Sequence, residues 1–303
     1  MIAIRKFVLS CCVVICTIIL FSISSPVSAE AGIPTIMEGL TNRIIDLHPS
    51  FADRIVGAKN TTINADVLTS ATEHEKNVYE QAKQWQNDIK PKIETIQNQI
   101  LSYNPTFHST YDDMQTQIQA KNKEQLLTLL ADIQSNITSK KQGVMEFLTT
   151  LRTFKKNVAT NVQQLQTDRS QIQASMDGYR ATLDSLYDQL YATTSDSVRE
   201  QLENQTAELS VKLYDNLEPL YNQMNTIIDS LNGVNDGILN AGWLISLEDM
   251  NTNWTTLESK LQSFSKNLTD ASDINWTFIL DDTNVVQKTW DDIYNRGRTS
   301  ISG

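Results

Sequence analysis

Cysteine is the first scarcity in this 303-residue sequence: only Cys11, Cys12 and Cys16 occur, all near the N-terminus. Beyond residue 16 nothing can form a disulfide, a thiolate nucleophile or a cysteine metal site. Glycine (10) and proline (6) are few, so interruptions of regular structure are few. No stretch alternates with period two for long, which excludes extensive sheet. No apolar run after residue 29 is long enough to span a bilayer. There is no glycine-rich phosphate loop and no Gly-x-Ser-x-Gly nucleophile elbow. Basic residues are outnumbered, 25 Lys and Arg against 36 Asp and Glu, for a formal charge of −11. That balance argues against nucleic acid and against simple electrostatic docking on anionic lipid. The acidic residues are spread along the chain, the pattern of a solvated surface.

The first residues form a targeting segment. Arg5 and Lys6 precede an almost wholly apolar stretch, Phe7 to Ile23, followed by Ser25-Pro26-Val27-Ser28-Ala29. Small residues at that spacing predict cleavage after Ala29, leaving Glu30 first. The apolar stretch is also long enough for a retained membrane anchor, and Cys11-Cys12 after Leu9-Ser10 faintly resemble a lipoprotein cut site placed too early in the run. Arg5 and Lys6 are the only charges in residues 1–29, so cleavage leaves a net charge of −13. A secreted chain of about 270 residues without disulfides must rely on a buried core, and it is long enough for one.

What the chain has in abundance is helical periodicity. Phe147, Leu151, Phe154, Val158, Val162, Leu165, Ile172, Met176, Tyr179, Leu183, Leu186 and Leu190 follow one another in threes and fours, with Arg169 as a polar slot. The stripe lasts about six heptads. It stops at Ala192-Thr193-Thr194-Ser195-Asp196-Ser197 and resumes from Val198 through Leu202, Leu209, Leu213, Leu217, Leu220, Met224, Ile227, Leu231 and Val234 to Ile238. Two long stripes joined by a short polar break predict an antiparallel helical hairpin over 123–240 with its tip near 191–198. A first arm starting near Lys123 would be about 100 Å long at 1.5 Å per residue, which implies a rod. Such a hairpin needs further helices to cover its stripes.

Those helices are visible on either side. Ile36, Leu40, Ile44, Leu47, Phe51 and Ile55 predict an amphipathic helix broken at His48-Pro49, able either to lie on a membrane or to pack on its neighbours. Ala58 to Asn64 reads as a polar link. Val67, Ala71, Val78, Ala82, Trp85, Ile89, Ile93, Ile96 and Ile100 predict a long helix kinked at Pro91 and ended by Ser102-Tyr103-Asn104-Pro105. A shorter helix with Phe107, Tyr111, Met114 and Ile118 follows, then a joint at Lys121-Asn122-Lys123. Asn240-Ala241-Gly242 should close the second arm. Trp243, Leu247, Met250, Trp254, Leu257, Leu261, Phe264 and Leu268 predict another helix. After a turn at Ser272 to Asn275 come Trp276, Phe278, Ile279 and Leu280, and Val285, Val286, Trp290, Ile293 and Tyr294 predict a last short helix before a frayed tail from Arg296.

The sequence nominates no catalytic, cofactor-binding or metal-ligating residue. His48, His74 and His108 are far apart, and Glu73-His74-Glu75 lacks the second histidine one turn away that a zinc motif needs. Asp112-Asp113, Asp281-Asp282 and Asp291-Asp292 read as solvated surface pairs. Six Asn-x-Ser/Thr sequons, among them Asn60, Asn136 and Asn275, are expected from the abundance of Asn and Thr.

Gln81 to Phe107 reads QAKQWQNDIKPKIETIQNQILSYNPTF, followed by NKEQLLTLLADIQSNI and VMEFLTTLRTFKKNVATNVQQLQTD; the chain closes with WTTLESKLQSFSKNL and WTFILDDTNVVQKTWDDI. In combination and order these segments resemble the haemolysin BL and non-haemolytic enterotoxin components of Bacillus. The resemblance implies an all-α, elongated antiparallel bundle related to cytolysin A, and a secreted pore-forming toxin component. It further implies action on target-cell membranes with homologous components as partners, without enzymatic activity, small-molecule substrate or cofactor. In that family a long apolar or amphipathic head segment lies between the central helices. Here Leu186 to Leu202 reads LYDQLYATTSDSVREQL, with no run able to cross a bilayer. A secreted, non-lytic interaction or scaffold protein is the alternative.

Overall fold

Residues 33–239, 243–271 and 273–302 are described by a computed structural model. The expected targeting segment with the three cysteines, the expected turn at Asn240-Ala241-Gly242, and Ser272 lie outside the described residues. So do the side chains of Ile238 and Trp243. Helices α1 (Ile33–Ala58), α2 (Ala65–Gln84), α3 (Lys90–Gln119), α4 (Lys123–Ala192), α5 (Asp196–Ser210), α6 (Glu218–Leu239), α7 (Trp243–Asp270) and α8 (Trp276–Ser302) account for nearly everything, and no strand occurs among the described residues. Two short π-helical turns, π1 (Trp85–Ile89) and π2 (Val211–Leu217), join α2 to α3 and α5 to α6 without a break.

α4 is the axis. Its 70 residues span about 105 Å, and its buried stripe runs from Leu126 to Leu186. It starts where Lys121 turns the chain with a left-handed φ of 58° and Asn122 caps the new helix by accepting from Gln125 N–H. Different partners cover its two halves. Towards α4's C-terminal end lie α2, α1 and α6, with α1 seated between α2 and α6; towards its N-terminal end lie α3, α7 and α8. Each half is thus a four-helix packing that shares α4, and one continuous apolar core runs through both. The N-terminal half of α4 faces an aromatic cluster. Trp290 stacks on Phe107 at 4.7 Å and meets Tyr103 and Trp254 edge-on at 5.3 and 5.7 Å.

Four expectations drawn from prolines and chain ends are corrected. α1 is unbroken through Pro49. The missing N–H costs one helical bond, while Phe51 and Ile55 beyond it remain buried. Gln223 Nε2 and Ser50 Oγ both donate to Leu47 O nearby. The helix expected to end at Ser102 to Pro105 continues to Gln119, because Ile100, Tyr103, Phe107, Tyr111, Met114 and Ile118 form one buried stripe across the proline. The last helix is long, with 27 residues, and stays helical where a frayed tail was expected. Gly297 lets it approach α3, since a β-carbon there would sit 3.1 Å from Ile100 Cγ2. At Pro91 the kink takes the form of π1, with Lys90 N–H donating to Trp85 O. The same arrangement precedes Pro219, where Glu218 N–H donates to Leu213 O across π2. Each wide turn shifts the hydrogen-bond register just before a residue that has no N–H to offer.

Smaller register differences follow from helix phase. Leu68, not Val67, opens the buried stripe of α2; Asp168 takes the polar core slot of α4 and leaves Arg169 half-buried; Val198 is exposed. In solution residues 30–303 should give far-ultraviolet circular dichroism dominated by helix and a small-angle scattering profile of a rod. A compact globular profile, or substantial sheet, contradicts this architecture.

Candidate functional site: the hairpin tip and the polar seam

The tip of the central hairpin extends past the rest of the bundle. Thr62 N–H donates to Tyr179 Oη at 2.7 Å, which fixes the α1–α2 link beside Tyr179. Beyond that level α4 continues 13 residues to Ala192, about 20 Å, and α5 packs extensively only on α4 and π2. Leu183, Leu186, Leu202 and Thr206 are the residues buried in this two-helix segment. The connecting turn closes on itself: Thr193 N–H donates to Gln189 O at 3.0 Å and Arg199 Nη2 to Thr193 O at 3.0 Å. Tyr187, Tyr191 and Val198 stand in solvent, Tyr191 being 85% exposed. The segment carries Asp184, Asp188, Asp196, Glu200 and Glu203 against Arg180 and Arg199. Among the described residues no helix is long and apolar enough to cross a membrane.

The second feature is a polar seam where α2 meets α1 and α4. All three histidines face carboxylates across helix boundaries. His48 Nδ1 of α1 lies 2.9 Å from Glu75 Oε2 of α2, its ring stacked on Tyr79 at 3.9 Å. His74 Nδ1 of α2 lies 2.6 Å from Asp168 Oδ2 of α4. His108 Nε2 of α3 lies 3.3 Å from Asp291 Oδ1 of α8. Glu75 and Asp168 are each only 2% exposed. Two turns further along α2, Asn161 Nδ2 donates to Gln81 Oε1 at 2.6 Å, and Gln81 Nε2 to Phe154 O at 3.3 Å. Sequence reading treated the histidines as isolated because their partners lie 27, 94 and 183 positions away. A helical-wheel phase that puts a carboxylate on an apolar stripe was the available signal, and Asp168 shows it.

Ser70, His74 and Asp168 bring together the residue types of a hydrolytic triad, but not its wiring. Ser70 Oγ donates to Asp168 Oδ1 at 2.8 Å, and His74 presents Nδ1 to the other oxygen of the same carboxylate. A general base must offer the serine a ring nitrogen distinct from the one held by the acid. Here both groups converge on Asp168, so the hydroxyl proton is held and not abstracted. Among the described residues no cluster of side chains suits a metal ion.

Ionisable groups elsewhere follow their surroundings. Burial pushes the Tyr103 phenol up to about 12, helped by the charge of Asp132. Burial lowers the Lys140 ammonium, which sits 4.3 Å over the Tyr103 ring. Hydrogen bonds from Lys141 and Thr138 hold the Glu258 carboxyl below its ordinary range. Glu75 goes the other way: burial raises its pKa above 4.5, outweighing the hydrogen bond and charge of His48.

Two substitutions test the seam. Asp168→Ala leaves Ser70 and His74 without their shared acceptor and should cost about 1–3 kcal/mol in urea denaturation; a loss below about 0.5 kcal/mol would show that the seam is not structural. Glu75 carries a sign. A carboxyl whose pKa is raised on folding weakens the fold while ionised, and that penalty disappears as pH falls through the raised pKa towards 4.5. Wild type should therefore gain stability relative to Glu75→Gln on acidification through that window, and parallel pH profiles for the two proteins would refute the burial effect.

The fold recurs in known toxins. The bundle is similar to the soluble AhlC triple head mutant of the tripartite α-pore forming toxin AHL from Aeromonas hydrophila, with TM-score 0.55, 11% identity, 84% of this chain and 98% of that one. The pre-pore AhlB of the same toxin gives TM-score 0.51 and 14% identity over 90% and 93% of the two chains. The Bacillus cereus HblL1 toxin component gives 0.45 and 17% over 88% and 95%. No curated protein sequence matches the chain. The profile of the Bacillus haemolytic enterotoxin (HBL) family matches residues 38–201, from the first turns of α1 to the start of α5. That match spans more than half of the sequence, and the chain belongs to the Bacillus haemolytic enterotoxin (HBL) family.

Proposed function

We propose that this protein is a secreted component of an α-helical pore-forming toxin and acts on target-cell membranes together with homologous components. The observation that carries this reading is the family match over 38–201, joined to a bundle fold shared with components of a tripartite toxin. The targeting segment supports secretion, and we take residues 30–303 as one working unit. Neither a small-molecule substrate nor nucleic acid is part of the reading, and the wiring at Asp168 supports a non-enzymatic role.

The tip supports dependence on partners. A charged side chain at the bilayer centre costs about 2.5–3.5 kcal/mol on insertion scales. Five carboxylates with Arg180 and Arg199 occupy the tip, and Tyr187, Leu190 and Tyr191 cannot offset several such costs at about 1.5–3 kcal/mol for each large apolar side chain. Two routes to membrane action remain. A partner can supply the apolar segment. Alternatively, an oligomer can use α1, because amphipathic helices line a pore when their polar faces meet water. The second route requires α1 to leave the bundle, since Met37, Ile44, Phe51 and Ile55 are buried there. The polar, charged tip also favours a second reading, a non-lytic interaction or scaffold protein derived from this family.

Dye release from vesicles and erythrocyte lysis, with the protein alone and with homologous components encoded beside it, separate the readings. Little release alone and strong release in combination is the expected result. Efficient lysis by the lone protein overturns the dependence on partners, and no lysis in any combination favours the scaffold. The two routes are separated by a disulfide, for which a cysteine-free mature chain is well suited. A β-carbon on Gly57 would lie 4.0 Å from Asn216 Cβ, within the range of natural disulfides. Gly57→Cys with Asn216→Cys should pin the end of α1 to π2. Lysis lost on oxidation and regained on reduction assigns α1 as the inserting element; unchanged lysis assigns that role to a partner.

A further inference from the structure

Between the last two turns of α1 and the first two of α2 lies an open groove of about 600 Å³, a volume usual for small-molecule sites. Its walls are mostly apolar, from Ala52, Ile55, Val56 and Leu68, and Val56 is 62% exposed on the lip. Two threonines also line it, but their hydroxyls are committed to their own helix: Thr69 Oγ1 donates to Ala65 O at 2.9 Å and Thr72 Oγ1 to Leu68 O at 2.7 Å. The walls therefore offer a ligand contact surface and almost no hydrogen bonding.

Charge is confined to the two ends. α1 and α2 run antiparallel from their link, which puts Lys59 beside the start of α2 and Glu73 about 12 Å along it. Neither the Lys59 ammonium nor the Glu73 carboxylate has a hydrogen-bond or ion-pair partner among the described residues. An apolar trough with one free cation at one end and one free anion at the other selects for both shape and direction. We infer that the groove binds the single acyl chain of a fatty acid, its carboxylate at Lys59 and its tail running along Ala52, Ile55, Val56 and Leu68 towards Glu73. The reverse orientation would set carboxylate against carboxylate. A neutral chain would leave Lys59 unused, and a polyhydroxylated or aromatic polar ligand would find no donors. The site belongs to the free protein and is independent of its action at a membrane.

Isothermal titration of the mature protein with octanoate, decanoate and dodecanoate, each below its micelle-forming concentration, tests the inference. Affinity should rise with each methylene added while the chain still fits the groove, by up to about fourfold where the methylene is fully covered, and ligand should raise the thermal midpoint by mass action. Ala52→Glu, at an exposed helical position where the fold tolerates charge, should abolish binding. Lys59→Glu should weaken it about tenfold, and decanol should bind about tenfold more weakly than decanoate. Affinity that is flat in chain length, or that survives Ala52→Glu in a protein with an unchanged dichroism spectrum, overturns the site. Equal affinity for Lys59→Glu and wild type, or for decanol and decanoate, overturns the assignment of a fatty acid.

Discussion

Everything in this bundle depends on covering one apolar stripe about 90 Å long. Between Leu126 and Leu186, α4 presents a core residue every third or fourth position, and a single helix cannot hide such a face from water. No one partner helix is long enough for the task. α2 and α3 share it on one side, α6 and α7 on another, and α1 and α8 complete the two halves, α1 between α2 and α6 and α8 between α3 and α7. The division has a physical consequence. Helices that must run past each other for so long cannot stop at every proline, so Pro49 and Pro105 lie inside helices, and Pro91 and Pro219 follow π turns that reset the register.

The two halves are sealed differently. Around α3, α7 and α8 the core is dominated by aromatic rings, with Trp290 at their centre and its indole N–H donated to Asn104. Around α1 and α2 the core is interrupted by Glu75, Asp168, Asn161 and Gln81, each answered by a partner on another helix. Apolar packing is tolerant of small slips between helices, whereas a buried carboxylate is satisfied in one register only. The seam thus fixes where α1 and α2 sit along α4. It also makes their departure dependent on breaking titratable contacts, a constraint on any use of α1 at a membrane.

The tip is where cover ends. Beyond Tyr179 only α4 and α5 continue, and the residues that would need cover are replaced by tyrosines, serine, threonine and acids. A two-helix extension with so small a core is stable because it is rooted in the longer bundle, and its charged surface suits contact with protein or water better than entry into hydrocarbon.

Periodicity alone determined the all-α class, the long arms and most core positions, since a face buried along a helix leaves a mark every 3.6 residues whatever covers it. The loss of that spacing after Ala192 likewise marks the turn that opens at Thr193. The sequence also determined the absence of an apolar tip, because composition is enough to show that no segment there can span a bilayer. It misjudged Pro49, Pro105 and the length of α8, for local propensity is overridden when a continuous buried stripe continues beyond the break. Tertiary structure alone decided the rest. The pairing of His48 with Glu75, of His74 with Asp168 and of Gln81 with Asn161 joins residues distant in sequence, and no local pattern encodes which charge meets which across a helix boundary. The groove beside Val56 arises in the same way, from the angle at which two amphipathic helices part, which neither helix contains by itself.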